Sequence, residues 1–230
     1  MSEIFENNLV FSIAVFFSTI GFVIYHFFNE GQRERLINGS VKQINLQRLS
    51  GVFLFGIAPA MLLVILNSGD EISIATGTIT KKLFVPFGIL SLILVPVNFI
   101  NAKTKGNLLM YPQIRTEHWN LSLLILSALS WIAYLFAYEF LFRGLLLSSS
   151  LNIMGIWPAI ILNIGIYSLV HIPKGAKEAF WSILLGFIIC LLVVRTGSFW
   201  IAFFIHVVLA LSNEWFSLRS HPEIQFKMSK

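Results

Sequence analysis

The sequence predicts an all-α fold: a polytopic transmembrane bundle of about seven membrane-spanning helices. Two observations carry that expectation. Of the 230 residues, 57% are hydrophobic and only 12% charged, with a mean hydropathy of +0.80. Soluble domains carry about twice that share of charge, and 22 Phe and 6 Trp leave too little polar surface to cover a water-soluble particle of this size. A soluble enzyme, a nucleic-acid-binding module and a disordered tail are thereby excluded. The second observation is the spacing of apolar stretches, each near the roughly 20 residues that cross about 30 Å of hydrocarbon as a helix.

In order, these stretches are Leu9–Phe28, Val52–Leu66, Leu83–Ile100, Asn120–Leu147, Ile156–His171, Ala179–Val194 and Ser198–Leu218. The second and sixth are short and need their flanks. The fourth is long enough to tilt or to continue past the bilayer surface. Polar connectors separate them, with no internal repeat and no room for a separate soluble domain. The expectation is one transmembrane domain over 1–230, with N-terminal helices over 1–110.

The excess of 16 Lys and Arg over 11 Asp and Glu reads as loop charge facing the cytoplasm, so no nucleic-acid partner is expected. With the N-terminus outside, Arg33, Arg35, Lys42, Arg48, Lys103, Lys105, Arg115, Lys174, Lys177, Arg219, Lys227 and Lys230 fall inside, against Lys81, Lys82 and Arg195 outside. That asymmetry favours N-out and C-in. Cys190 is the single cysteine, so no intrachain disulfide forms.

Ionisable groups at membrane depth cost about 2.5–3.5 kcal/mol on insertion scales, which makes each a functional candidate. Within the spans they are His26, Glu139, Arg143, His171, His206 and Glu214. His26 and Glu214 lie near span ends and are expected to reach the wet interface. Glu139 and Arg143 share a helix face at i, i+4 and read as an ion pair. Asn163, Tyr167 and His171 form one polar stripe on the fifth span. His206 sits in the last span, with Asn213 about 20° off its face.

Buried polar groups need partners, and these are expected to converge on one cavity. Glu139 lies 11 residues before Ser150, and His171 lies 14 residues after Trp157. At about 1.5 Å per residue that is roughly a one-turn offset, within reach of modest tilt. A carboxylate with two imidazoles suits water activation and oxyanion stabilisation. The same three residues are also a two-His-one-carboxylate metal set, although H-E-x-x-H and G-x-S-x-G are both absent.

At these residues the chain resembles the CAAX-protease and bacteriocin-processing family of intramembrane endopeptidases. The family pattern is E-E-x-x-x-R, then F-x-x-x-H, then H-x-x-x-N. Here it reads Tyr138-Glu139 to Arg143, Tyr167 to His171, and His206 to Ala210. Tyr111-Pro-Gln-Ile-Arg115 and Thr196-Gly-Ser198 also look like bacterial members. Tyr138 replaces the glutamate usually assigned to activating water, Ala210 replaces the asparagine, and Tyr167 replaces phenylalanine.

The resemblance covers roughly 111–218 and implies a catalytic region there. It further implies peptide-bond hydrolysis by glutamate-activated water in the cell membrane, with no cofactor and no obligate metal. Its substrates would be membrane-associated, prenylated or other peptides. It places Glu139, His171 and His206 in catalysis, Asn213 and Tyr167 in oxyanion or substrate support, and Arg143 in a structural ion pair. The rival expectation is a catalytically silent relative: a membrane peptide-binding or bacteriocin-immunity protein. A transporter using the same charges as a relay lacks the expected inverted repeat.

Overall fold

The computed structural model describes residues 2–28, 39–172 and 175–226. Arg33, Arg35, Lys174, Lys227 and Lys230 of the charge count lie outside the described residues. Six helices are long and apolar enough to cross a bilayer: α1 (Asn8–Phe27), α2 (Val41–Ile65), α3 (Lys81–Asn101), α4 (Leu121–Met154), α6 (Ala176–Thr196) and α7 (Trp200–Ser220). Between α4 and α6 lies α5 (Ile156–Leu169), apolar but only 14 residues long. At about 1.5 Å per residue it measures about 21 Å, short of the hydrocarbon thickness. The chain is therefore a multi-pass membrane protein, and opposite placement of its two ends requires α5 to cross as well.

The boundaries follow local chemistry. α2 begins eleven residues earlier than its apolar run because Ser40 and Gln43 form a capping box, the hydroxyl taking the Gln43 amide at 3.3 Å and the Gln43 side chain taking the Ser40 amide at 3.1 Å. Such reciprocal capping satisfies two otherwise orphaned N–H groups. That start moves Arg48 from the expected loop into the helix. Asn120 caps α4 with one bond, its side-chain oxygen accepting from the Leu123 amide at 2.9 Å. Helix α6 ends on Gly197 in the left-handed region (φ 65°), the usual role of glycine there. Its carbonyl lies so close to Gly77 (φ 60°) that a Cβ on Gly77 would meet it at 2.3 Å.

Helix α4 is the hub. It packs against α1, α2, α5 and α7, and every residue from Ala137 to Leu147 is buried. From Phe140 to Leu147 it widens into a π-helix, as do Phe17–Gly21 of α1 and Phe53–Ile57 of α2. These three wide turns touch one another. Wide turns of this kind are frequent at functional sites; Tyr138 and Glu139 stand at the edge of the longest and Arg143 within it. Outside the bundle, His118–Trp119 pairs in parallel with Gln225–Phe226, tying the segment before α4 to the segment after α7. Helix α3 is the least enclosed, with only 11% of its apolar window buried inside the protein.

Candidate active site

Glu139 is fully buried on α4. Its Oε1 lies 2.5 Å from Nδ1 of His206 on α7, and its Oε2 lies 3.4 Å from the Arg143 guanidinium one turn on. A carboxylate only accepts, so His206 donates from Nδ1. The other ring nitrogen of His206 has no partner among the described residues. The sequence expectation of a Glu139–Arg143 pair on one face meets its geometry here, and His206 joins it from 67 residues away.

Around this couple the aromatic rings are tightly constrained. The Arg143 guanidinium carbon stands 4.0 Å from the centre of the Tyr167 ring on α5, a cation–π stack. Gly186 on α6 permits it: a Cβ there would meet Tyr167 Cδ1 at 3.1 Å and Arg143 Nη2 at 3.6 Å. Asn163, one turn before Tyr167, donates to the Phe142 carbonyl at 2.6 Å within the wide turn of α4. Tyr138 stacks on Phe142 at 4.5 Å and meets His206 edge-on at 6.0 Å. Its buried hydroxyl has no hydrogen-bond partner among the described residues.

A cavity of about 640 Å³ opens beside the couple. His206, His171, Tyr138, Tyr167, Ala210 and Asn213 line it, whereas Glu139 and Arg143 stand behind its wall. His171 lies two residues past the end of α5 with Nδ1 2.8 Å from the Tyr167 carbonyl, and its ring lies 4.6 Å from that of Tyr167. Asn213 is buried, and its Oδ1 finds no partner among the described residues. The expected convergence is thus resolved in detail: His171 and His206 share a cavity with Tyr167 and Asn213, and Glu139 reaches that cavity through His206. Among the described residues no group of three His, Cys, Asp or Glu stands close enough to hold a metal ion.

Glu214 departs from its sequence expectation. It was expected at the wet interface and is instead fully buried on α7, with its Oε1 3.7 Å from Arg48 of α2. It accepts from the Gln113 amide at 3.3 Å and from Ser127 at 3.4 Å. Arg48 donates to the Ser127 carbonyl at 3.0 Å, to Ser130 at 2.7 Å and to Gln113 Oε1 at 3.1 Å, with its guanidinium 4.3 Å from the Trp131 ring. The sequence signal that locates Arg48 is the Ser40–Gln43 capping box, which starts the helix early enough to enclose it. His26 is half-buried and stacks on Phe22 at 6.3 Å.

Tyr111 lies outside the membrane-spanning segments and also lines the cavity. Burial first, then the carboxylates of Glu178 and Glu214, push its phenol above the ordinary value, so it stays a neutral hydroxyl.

Residues 109–212 match the family model described as Type II CAAX prenyl endopeptidase Rce1-like. No curated protein matches the chain, and no solved structure does. The matched residues contain all three motifs and the connector that leads into them, and end at Ser212, within α7. By that match and by its motifs, residues 109–212 are similar to the CAAX-protease and bacteriocin-processing family.

Proposed function

We propose that this protein is an intramembrane endopeptidase of the cell membrane in which a Glu139–His206 couple activates water. The observation that carries the reading is the 2.5 Å contact between Glu139 Oε1 and His206 Nδ1, with the carboxylate behind the cavity wall and the imidazole on it. A carboxylate that holds Nδ1–H leaves the lone pair of Nε2 as the base. Nε2 takes a proton from water as the water oxygen attacks the scissile carbonyl carbon. The resulting imidazolium is stabilised by Glu139 and returns the proton to the leaving amine, giving one carboxylic acid and one amine per water consumed.

Glu139 then acts through His206 instead of touching water itself. That division fits a chain whose position 138 is a tyrosine, a neutral phenol that is a poor base for water. The Asn213 amide supplies a hydrogen bond to the oxyanion, while His171, whose Nδ1–H donates to the Tyr167 carbonyl, offers Nε2 as an acceptor to the substrate backbone. Arg143 balances the Glu139 charge behind the cavity wall. In this reading the chain works as one transmembrane domain over 1–230. Residues 111–218 carry the chemistry, and α1 and α3 contribute Phe22, Tyr25, Leu90 and Leu94 to the cavity wall. The substrates are peptides presented within or at the membrane, including prenylated ones.

A second reading is favoured by one observation: Tyr138 lines the cavity where the family pattern has its water-activating glutamate, and the only motif carboxylate is fully buried. On that reading the protein binds peptides without cutting them, as an immunity protein would. The test is cleavage of a peptide library by purified protein in nanodiscs, alongside Glu139→Gln, His206→Ala and a chelator arm. Cleavage lost in both variants and kept with chelator is the expected result. Cleavage by His206→Ala at the wild-type rate would remove the couple from the mechanism. No cleavage by folded wild type, with cleavage gained in Tyr138→Glu, would establish the silent reading.

A further inference from the structure

The cavity wall carries one carboxylate that neither the motifs nor the mechanism uses. Glu178 stands in the first turn of α6, half-buried, and is the only Asp or Glu among the described residues lining the cavity. It makes no hydrogen bond and no ion pair among the described residues, although Lys177 stands next to it in the chain. An acidic residue in a first helical turn is favoured by the helix N-terminus. That accounts for its charge and leaves its place on the cavity wall unexplained.

The rest of the lining gives the carboxylate a context. Eight of the described lining residues are aromatic, among them Tyr111, Trp131, Tyr138, Tyr167 and Trp181. Aromatic faces attract cations, more strongly as water is excluded. The protein's own arginines show the preference: Arg143 stacks on Tyr167 at 4.0 Å and Arg48 on Trp131 at 4.3 Å. A cation drawn to these rings needs a counter-charge, and Glu178 is the carboxylate on the wall that has no partner among the described residues.

We propose that Glu178 determines specificity by pairing with a basic side chain of the bound peptide, so that the cavity selects lysine- or arginine-bearing segments. The inference rests on peptides being what the cavity takes, and deepens that reading by naming the side-chain class. Aliphatic stems of Lys or Arg lie along the apolar wall formed by Leu184, Leu185 and Ile188, while the charged end reaches Glu178. His206 and His171 line the same cavity, which brings the selected side chain and the hydrolytic groups into one enclosure.

The test uses the full chain in nanodiscs and a set of apolar dodecapeptides identical except for one central Lys, norleucine or Glu. Binding is read by fluorescence anisotropy and cleavage separately by mass spectrometry. The Lys peptide is expected to bind about tenfold tighter than the norleucine peptide. Glu178→Gln should erase that preference and Glu178→Lys should turn it toward the Glu peptide, while Lys177→Gln keeps it. Equal binding of Lys and norleucine peptides, or a lysine preference that survives Glu178→Gln in protein of wild-type melting temperature, would overturn the assignment. Lysine-selective binding with no cleavage of any peptide sinks the protease reading and upholds this one. Cleavage without lysine selectivity does the reverse.

Discussion

Two ionic clusters are buried in this bundle, and they are built on opposite plans. Around Arg48 and Glu214, every oxygen and both terminal nitrogens of Arg48 meet a partner among Ser127, Ser130 and Gln113, with Arg48 Nε and Trp131 Nε1 unpaired among the described residues. Around Glu139 and Arg143 the set stays open. One ring nitrogen of His206, the Tyr138 hydroxyl and the Asn213 Oδ1 are left without partners among the described residues. A buried charge pair rarely returns more than its desolvation costs, and a buried polar atom left unpaired costs about 1–3 kcal/mol. The closed cluster therefore reads as a fastener joining α2, α4 and α7. The open one keeps unspent hydrogen-bonding capacity beside a cavity, which is what a site for a ligand requires.

That contrast breaks or stands on substitutions. Replacing His206 with Ala should lower peptide cleavage by about 10²–10⁴-fold, read in nanodiscs, with a melting temperature near that of wild type; a large loss of folded protein would put His206 among the fasteners. Glu214→Ala should do the opposite. Leaving Arg48 buried without its carboxylate costs about 3–5 kcal/mol, seen as a collapse in melting temperature, and the Arg48→Met, Glu214→Leu pair should recover most of it. Gly51→Val tests the frame that both clusters share. A Cβ at Gly51 would meet Tyr134 Cε2 at 2.3 Å, so the α2–α4 contact should lose about 1–3 kcal/mol. The smallest effect belongs to Tyr138→Phe: removing a hydroxyl that has no partner should leave the melting temperature unchanged or raise it slightly. A clear drop there would show that the open cluster is a fastener too.

Much of this was legible before any coordinates. The six long helices coincide with predicted apolar runs, since length and hydropathy are local properties of the chain. The Glu139–Arg143 spacing needed only helical geometry, and the three motifs carried the family. Errors cluster where a local rule was outweighed or overlooked. The apolar run alone starts α2 at Val52 and leaves Arg48 in a loop, whereas the Ser40–Gln43 box starts the helix at Val41 and encloses it. Glu214 was judged by its nearness to a span end, a fair guide for an isolated helix. Its actual partner lies on another helix, contributed by a residue 166 positions earlier.

By itself, the sequence determined that this is a membrane bundle, which helices hold the motif residues, and that too few charges exist for any to be idle inside it. Those conclusions rest on hydrophobicity and on the 3.6-residue period, both set within a single helix. Only the tertiary structure decided how the charges pair. It put Glu139 behind His206 instead of on the cavity wall, joined Arg48 to Glu214, and turned Glu178 toward a cavity lined with aromatic rings. Pairing depends on how helices far apart in the chain pack and rotate against one another. That is settled by the fit of side chains such as Tyr167 against Gly186 and Tyr134 against Gly51, which no single stretch of sequence contains.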